Sequence, residues 1–326
     1  MFGIDKLKLV MDADNVEIIR EDMFIKKVID GELIGLSFEK RDPFSLKIKI
    51  DYIKNEAVIE FTGKILLSEY HNLIRLSNIS EAFDNIHALG ICRINNYMIS
   101  DVTMCDPVID AYPSYIRGIT EYIAYNISSN KKYDTKVLSN GNLIVEKNVT
   151  SKQCKKRLTI YNKFAEMNKA KNRKFLKDYY NDENPFVGKN CRFELNLNSK
   201  EQIRSSLGIT DTKLMKVLLA AHRCNPIYDF LLEIIDEEST PIIEEGKIRD
   251  YHMSLVLKDC DYELKKVEAR LRQYYSKGTK MRAVLKPYKQ MLSAMSDQIG
   301  SWTRDKILNL VKTETQITPK MIIKLC

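Results

Sequence analysis

The chain has 326 residues, 44% hydrophobic and 29% charged, a balance that excludes wholesale disorder and supplies a sizeable core, divided on length alone between two domains. Twelve Gly and eight Pro exclude a collagen-like or loop-dominated chain. With 52 Lys and Arg against 44 Asp and Glu, the formal net charge is +8, compatible with a polyanionic partner. The seven cysteines are scattered and form no CxxC pair, and the four histidines include no HxH or HExxH. Neither a disulfide framework nor a zinc ribbon is indicated. No apolar run reaches the length of a membrane span, and the alternating, charged start is unlike a signal peptide. The expectation is a reduced, cytoplasmic protein with no membrane partner.

In chain order, strands are expected over 5–11 and 46–51, where Leu46, Ile48 and Ile50 alternate with Lys47, Lys49 and Asp51. Ile59 and Phe61 continue that pattern after a turn at Asn55. Helices are expected over 79–87 and 114–127, with Ser80 and Ser114 as N-caps. Further strands fall at 98–105, 156–162 and 190–198. The polar stretch 128–155 reads as a hairpin or loop, and the lysine-rich 164–189 as a helix running into an exposed turn. Past Gly208 the period becomes helical: Thr210 and Asp211 cap a run containing Leu214, Val217, Leu218 and Ala221, and Pro226 opens the next helix. Later helices are expected over 257–276, 280–296, 301–313 and 319–325. The fold class is therefore α+β, with an α+β domain over 1–208 followed by an all-helical domain over 209–326.

Three strands carry polar groups on one face. Arg192, Glu194, Asn196 and Asn198 oppose Phe193, Leu195 and Leu197, while Arg157, Thr159 and Tyr161 oppose Leu158 and Ile160. Asp101, Thr103 and Cys105 likewise oppose Val102 and Met104. If the strands share a sheet, an Asp, a Glu, two Arg and a Tyr gather on one surface. Alternation alone is also what a sheet with one solvated face shows.

The local sequences say more. Tyr161, Lys163 and Glu166 form Tyr-x-Lys-x-x-Glu at a strand end, and Arg192-Phe193-Glu194 follows on a later strand. Upstream stand GIDKLKL, the pair His71-Asn72 and the strand ISDVTMCD. In this order the motifs resemble the replication initiators of filamentous phages and related plasmids, the gene II/X family, over roughly residues 1–210. Family members usually read Arg-Ile-Asp where this chain has Ile99-Ser100-Asp101.

The resemblance implies an antiparallel-sheet nicking domain and an enzyme that starts rolling-circle replication. It would nick and rejoin origin DNA, single-stranded or supercoiled, through a 5′-phosphotyrosyl intermediate, with a host helicase and polymerase as further partners. Tyr161 takes the place of the nucleophile. Phenol has a pKa near 10, so it needs a cation or metal beside it. Lys163 is placed to stabilise phenolate or a phosphate oxygen. Mg²⁺ or Mn²⁺ would polarise the scissile phosphate, and these ions prefer oxygen ligands. Many nicking enzymes hold the metal with paired histidines, which are missing here. The expected ligands are Asp101 and Glu194 aided by His71, with Asp106 a further candidate. Arg192 would clamp DNA phosphate or steady Glu194.

Two basic segments point to DNA. Lys155, Lys156 and Arg157 precede Tyr161, where a strand would approach. Residues 265–289 hold nine Lys or Arg against one Glu, with Tyr274, Tyr275 and Tyr288 interleaved, and Lys280, Arg282 and Lys286 are the expected phosphate contacts. A solvated helix pair would look similar. Two other functions stay open: a non-catalytic DNA-binding replication protein, and a metal-dependent hydrolytic nuclease using Asp101 and Glu194 with water.

Overall fold

The computed structural model describes residues 1–112, 116–127, 133–147, 156–188, 191–235, 248–260, 264–275, 279–298 and 303–312. Lys155, the Ser114 cap and the helix expected over 319–325 lie outside these residues, as does the side chain of Lys280. The fold is mixed α and β around one large antiparallel sheet. Its strands are β1 (Gly3–Asp12), β3 (Ile25–Ile29), β4 (Glu32–Lys40), β5 (Leu46–Asp51), β6 (Glu56–Thr62), β8 (Asp101–Ala111), β9 (Tyr133–Val137), β10 (Leu143–Lys147), β11 (Arg157–Asn162) and β12 (Cys191–Asn196). They lie in the order β3-β4-β5-β6-β1-β8-β12-β11-β10-β9. Two meanders of four strands thus flank a central pair, β1 and β8. A separate ribbon joins β2 (Val16–Ile18) to β7 (Cys92–Ile94).

Local chemistry explains the hairpins. Asp30 and Gly31 both have positive φ, 52° and 84°, the backbone a two-residue turn needs to match the twist of β3 and β4. The stretch read as a hairpin or loop after residue 128 is a hairpin, β9 to β10, in its described portion. In β5 and β6 the alternation holds as read: Leu46, Ile48, Ile50, Ala57, Ile59 and Phe61 are buried.

In β8 the alternation does not hold. The strand runs Asp101–Ala111, and its register with β1 shifts between Lys8 and Leu9 and again between Ile4 and Leu7. A bulge resets which side chains face inward. Val102 and Cys105 both have no exposed surface, so Cys105 belongs to the core and not to the polar face where the period-2 reading put it. The second shift accommodates Pro107, which lacks an N–H for the ladder and lies opposite Ile4.

The apolar face of the sheet is covered by helices: α1 (Ile79–His87), whose Ala82, Phe83 and Ile86 are buried, and α2 (Ile116–Ile127), which buries Ile119, Tyr122 and Ile123. Short α3 (Lys163–Met167) and α4 (Arg173–Tyr180) lie after β11 instead, and α5 (Lys200–Leu207) follows β12. Beyond the expected boundary at 208 come α6 (Leu214–Ala220), α7 (Pro226–Ile234), α8 (Ile248–Asp259), α9 (Leu264–Leu271), α10 (Thr279–Gln298) and α11 (Arg304–Val311). Leu214, Val217 and Leu218 of α6, Ile227, Phe230 and Leu231 of α7, and Ile307 and Val311 of α11 belong to the same core as the sheet. By contrast, α8 to α10 build a core of their own, from Met253, Leu257, Val267, Met281, Leu285 and Tyr288. The change of periodicity at 208 therefore marks a change of element type and not a break in the core. No described helix is long and apolar enough to cross a membrane.

Candidate active site

On the face of the sheet turned away from that core, cross-strand register gathers the polar side chains. Tyr161 of β11 pairs with Arg192 of β12, which pairs with Asp110 of β8; Glu194 pairs with Thr159 and Val108. Directly opposed residues project to the same face. The Tyr161 hydroxyl donates to Glu194 Oε2 at 3.0 Å. Arg192, with no exposed surface, makes a bidentate pair with Asp110 at 2.7 and 2.8 Å. Its Nη1 lies 3.2 Å from Asp5 Oδ2, so β1 contributes a carboxylate as well.

Lys163 opens α3 and is buried, with only 3% of its surface exposed. Its Nζ donates to the Tyr70 hydroxyl at 2.7 Å and to Glu166 Oε2 at 3.0 Å. It also lies over the rings of Tyr70, Phe186 and Tyr161, at 5.0, 5.5 and 5.9 Å from their centroids. Tyr70 arrives from two 3-10 turns over Gly63–Asn72, broken at Leu67 where φ is 52°. At their start a Cβ on Gly63 would stand 2.9 Å from Asp5 Oδ1 and 3.2 Å from the Tyr70 ring, so the close approach of these two groups requires glycine. Tyr70, Met167, Phe175, Leu176 and Phe186 form a small aromatic core of their own over this polar face.

Burial holds the Tyr161 phenol well above its ordinary range; Arg192 pulls the other way, and the charges of Glu194 and Asp5 add to the rise. The resting side chain is therefore a neutral phenol donating to a carboxylate. Burial, and after it the charge of Asp5, also raises Glu194, giving it more affinity for a proton than an ordinary carboxylate has. Asp106 is pushed up to about 7 by burial, against a hydrogen bond from Asn196 and with the charges of Glu194 and Asp5. For Glu166 burial alone would raise the pKa, but Lys163, Lys171 and Asn172 hold it down at about 2.

The Glu166 shift fixes a pH dependence. A carboxyl depressed on folding contributes stability above its unfolded pKa and loses it as pH falls through the folded value. A fall of between two and three units corresponds to about 3 kcal/mol. Glu166→Gln is expected to lower stability at pH 7 by about that amount and to flatten the fall between roughly pH 4.5 and 2. Urea midpoints of both proteins across that range check it. Parallel pH profiles would show that the Lys163–Glu166 pair contributes nothing on folding.

The other expected residues are placed elsewhere or engaged otherwise. Asp101 is held by Lys200 at 2.8 Å and Lys213 at 3.0 Å. It stands seven residues along β8 from Val108, the partner of Glu194, a separation of about 20 Å along the strand. His71 follows Tyr70, but its Nδ1 lies 3.4 Å from the Tyr180 hydroxyl. The expected metal set of Asp101, Glu194 and His71 is therefore not assembled. The buried Oδ1 atoms of Asp5 and Asp106 have no hydrogen-bond partner, so hard oxygen donors are present. Among the described residues, however, no group of three or more His, Cys, Asp or Glu is arranged to hold a metal ion. Arg192 is too buried to clamp DNA, and its partners are Asp110 and Asp5 and not Glu194. Lys156 lies over the Phe230 ring, 4.8 Å from its centroid. Arg157 donates to Asn196 at 3.0 Å. Arg282 and Lys286 are exposed on α10.

Asp5, Tyr70 and Asp110 are not apparent from the sequence. Asp5 shows there only within GIDKLKL, and Tyr70 as the neighbour of the His71-Asn72 pair. No known protein-family model matches the chain, and no curated protein matches its sequence.

Proposed function

We propose that the chain is a DNA-nicking and strand-transfer enzyme of the rolling-circle type, with Tyr161 as its nucleophile. The observation that supports this reading best is the hydrogen bond from Tyr161 to Glu194 beside the buried cations Lys163 and Arg192. Tyr161 oxygen attacks the phosphorus of a DNA phosphodiester, and its proton passes to Glu194 as the O–P bond forms. The bond from phosphorus to the upstream 3′ oxygen breaks, and that oxygen takes a proton from water. The products are a 5′-phosphotyrosyl protein and a free 3′-hydroxyl that a polymerase can extend. The tyrosine ester conserves the energy of the cleaved bond, so a returning 3′-hydroxyl can reverse the step without a nucleotide.

In this scheme Lys163 acts on the phenolate through its charge and does not touch the oxygen. Arg192 anchors Asp5 and Asp110 and adds a second positive charge, which opposes the rise that burial imposes on the phenol. Both cations lie in a water-poor site, where a fixed charge acts more strongly than in water. Because Asp101 and His71 do not join Glu194, no step is assigned to Mg²⁺ or Mn²⁺. On α10 the exposed Arg282, Lys286 and Lys289 follow helical spacing and offer a cationic stripe for duplex phosphates.

The neutral, hydrogen-bonded state of Tyr161 favours a second reading, a DNA-binding protein in which the tyrosine is structural. Mass spectrometry of peptides separates the two after incubation with single-stranded oligonucleotides from the surrounding replicon. A nucleotide adduct on the peptide containing Tyr161 is the expected result. DNA cleaved without any adduct would replace the proposal with hydrolysis, and uncleaved DNA would favour the binding protein.

A further inference from the structure

The segment that follows the nucleophile is a cap with an unexplained charge. From α3 through α4 to Phe186 it packs on the site through its small aromatic core, which includes Tyr70. Its outer face carries Lys169, Lys171, Arg173, Lys174 and Lys177, all exposed, against one acid in residues 169–180, Asp178. Lys171 reaches Glu166 at 3.1 Å, and Lys174 reaches Asp42 at 3.3 Å between two largely exposed side chains. Lys169, Arg173 and Lys177 form no ion pair with any described residue.

This charge does not serve the helix that bears it. The first turn of α4 holds no acid and begins Arg173-Lys174, with asparagine before it. Cations at a helix N-terminus oppose the helix dipole, which favours anions there. Arg173 and Lys177 stand four residues apart on one side of α4, so their charges also repel each other. Of the cations expected to receive DNA beside Tyr161, those described are engaged: Arg192 is buried between two carboxylates, Lys156 covers Phe230, and Arg157 binds Asn196. Lys169, Arg173 and Lys177 carry exposed charges on the segment that follows Tyr161.

We infer that the cap, residues 163–186, is the surface on which the DNA strand lies, its phosphates crossing Lys169, Arg173 and Lys177 towards Tyr161. The partner is a single nucleic-acid strand, because a flexible backbone can follow a short convex helix and leave its bases free. Half-buried Tyr179 and Tyr180, at the far end of α4, lie with ring centroids 5.2 and 6.0 Å from that of Phe175. This inference rests on the nicking proposal for its direction, towards Tyr161, but not for the binding itself.

Lys169→Gln, Arg173→Gln and Lys177→Gln combined give the test, with a fluorescein-labelled single-stranded oligonucleotide of mixed sequence titrated at several salt concentrations. Each lost phosphate contact lowers the salt slope for single strands by about 0.7, so the triple variant should bind more weakly and lose about 2 from the slope. An unchanged melting temperature would show that the fold is intact, since all three side chains are exposed. The matched variant with Arg282, Lys286 and Lys289 changed to Gln should keep the single-strand slope. Equal slopes for wild type and cap variant would overturn the inference, as would a wild-type protein that binds no single strand. Adduct formation at Tyr161 is scored separately. Strand binding lost in the cap variant, with no adduct in wild type, sinks the nicking proposal alone. A wild-type adduct with an unaltered cap slope sinks the cap alone.

Discussion

Arg192→Ala is expected to lower the free energy of unfolding by about 3–5 kcal/mol, a large fraction of the stability of a typical domain. The size follows from what remains. Asp110 and Asp5 have side chains only 7% and 18% exposed, and both lose the guanidinium that faces them. Leaving buried carboxylates without a counter-charge costs far more than an exposed ion pair is worth. Urea denaturation measures the difference. Adding Asp110→Ala should cost less than the sum of the single changes, because one orphaned charge goes with its partner. A loss below about 1 kcal/mol would mean that the pair behaves like a surface contact.

Glu194→Gln is expected to lower the rate of strand cleavage by about 10²–10⁴-fold, the usual contribution of a positioned general base. The amide keeps the shape of the side chain and can still accept from Tyr161, but it cannot take up the proton. Affinity for the oligonucleotide should stay within about twofold, since Glu194 is not among the groups assigned to phosphate. Burst kinetics against a labelled strand separate the two effects. A variant that cleaves normally would remove Glu194 from the reaction and leave its contact with Tyr161 as an ordinary hydrogen bond.

Much of the site is legible in the sequence because β-strand alternation is strict where no bulge intervenes. Arg192 and Glu194 fall on one face of β12 and Tyr161 on one face of β11, and the pairing of the two strands brings the three together. The same rule misplaces Cys105, since the register shift between β1 and β8 is a feature of two strands and neither strand reveals it alone. Asp5 is hidden for a like reason: it is one of several charged residues in β1, and only the folded sheet shows that it meets Arg192. Tyr70 lies on broken 3-10 turns, whose backbone has no period to read. Asp101 and His71 stand out by chemical type and order along the chain. Neither property reveals that seven residues of extended strand separate Asp101 from the partner of Glu194, or that Tyr180 takes the His71 ring. At 208 the sequence marks a change of period, and helical spacing shows which face of α6, α7 and α11 is apolar but not that it joins the core of the sheet.

In the proposed reaction Tyr161 becomes covalently linked to DNA. Wild-type protein and Tyr161→Phe are incubated, in buffer containing Mg²⁺ or Mn²⁺, with labelled single strands from the surrounding replicon and resolved on a denaturing gel. The phenylalanine keeps the ring under Lys163 and removes only the hydroxyl. A slower, labelled protein band in wild type that disappears in the variant is expected if Tyr161 is the nucleophile. Cleavage that persists in the variant, or an adduct that survives the loss of the hydroxyl, would contradict it.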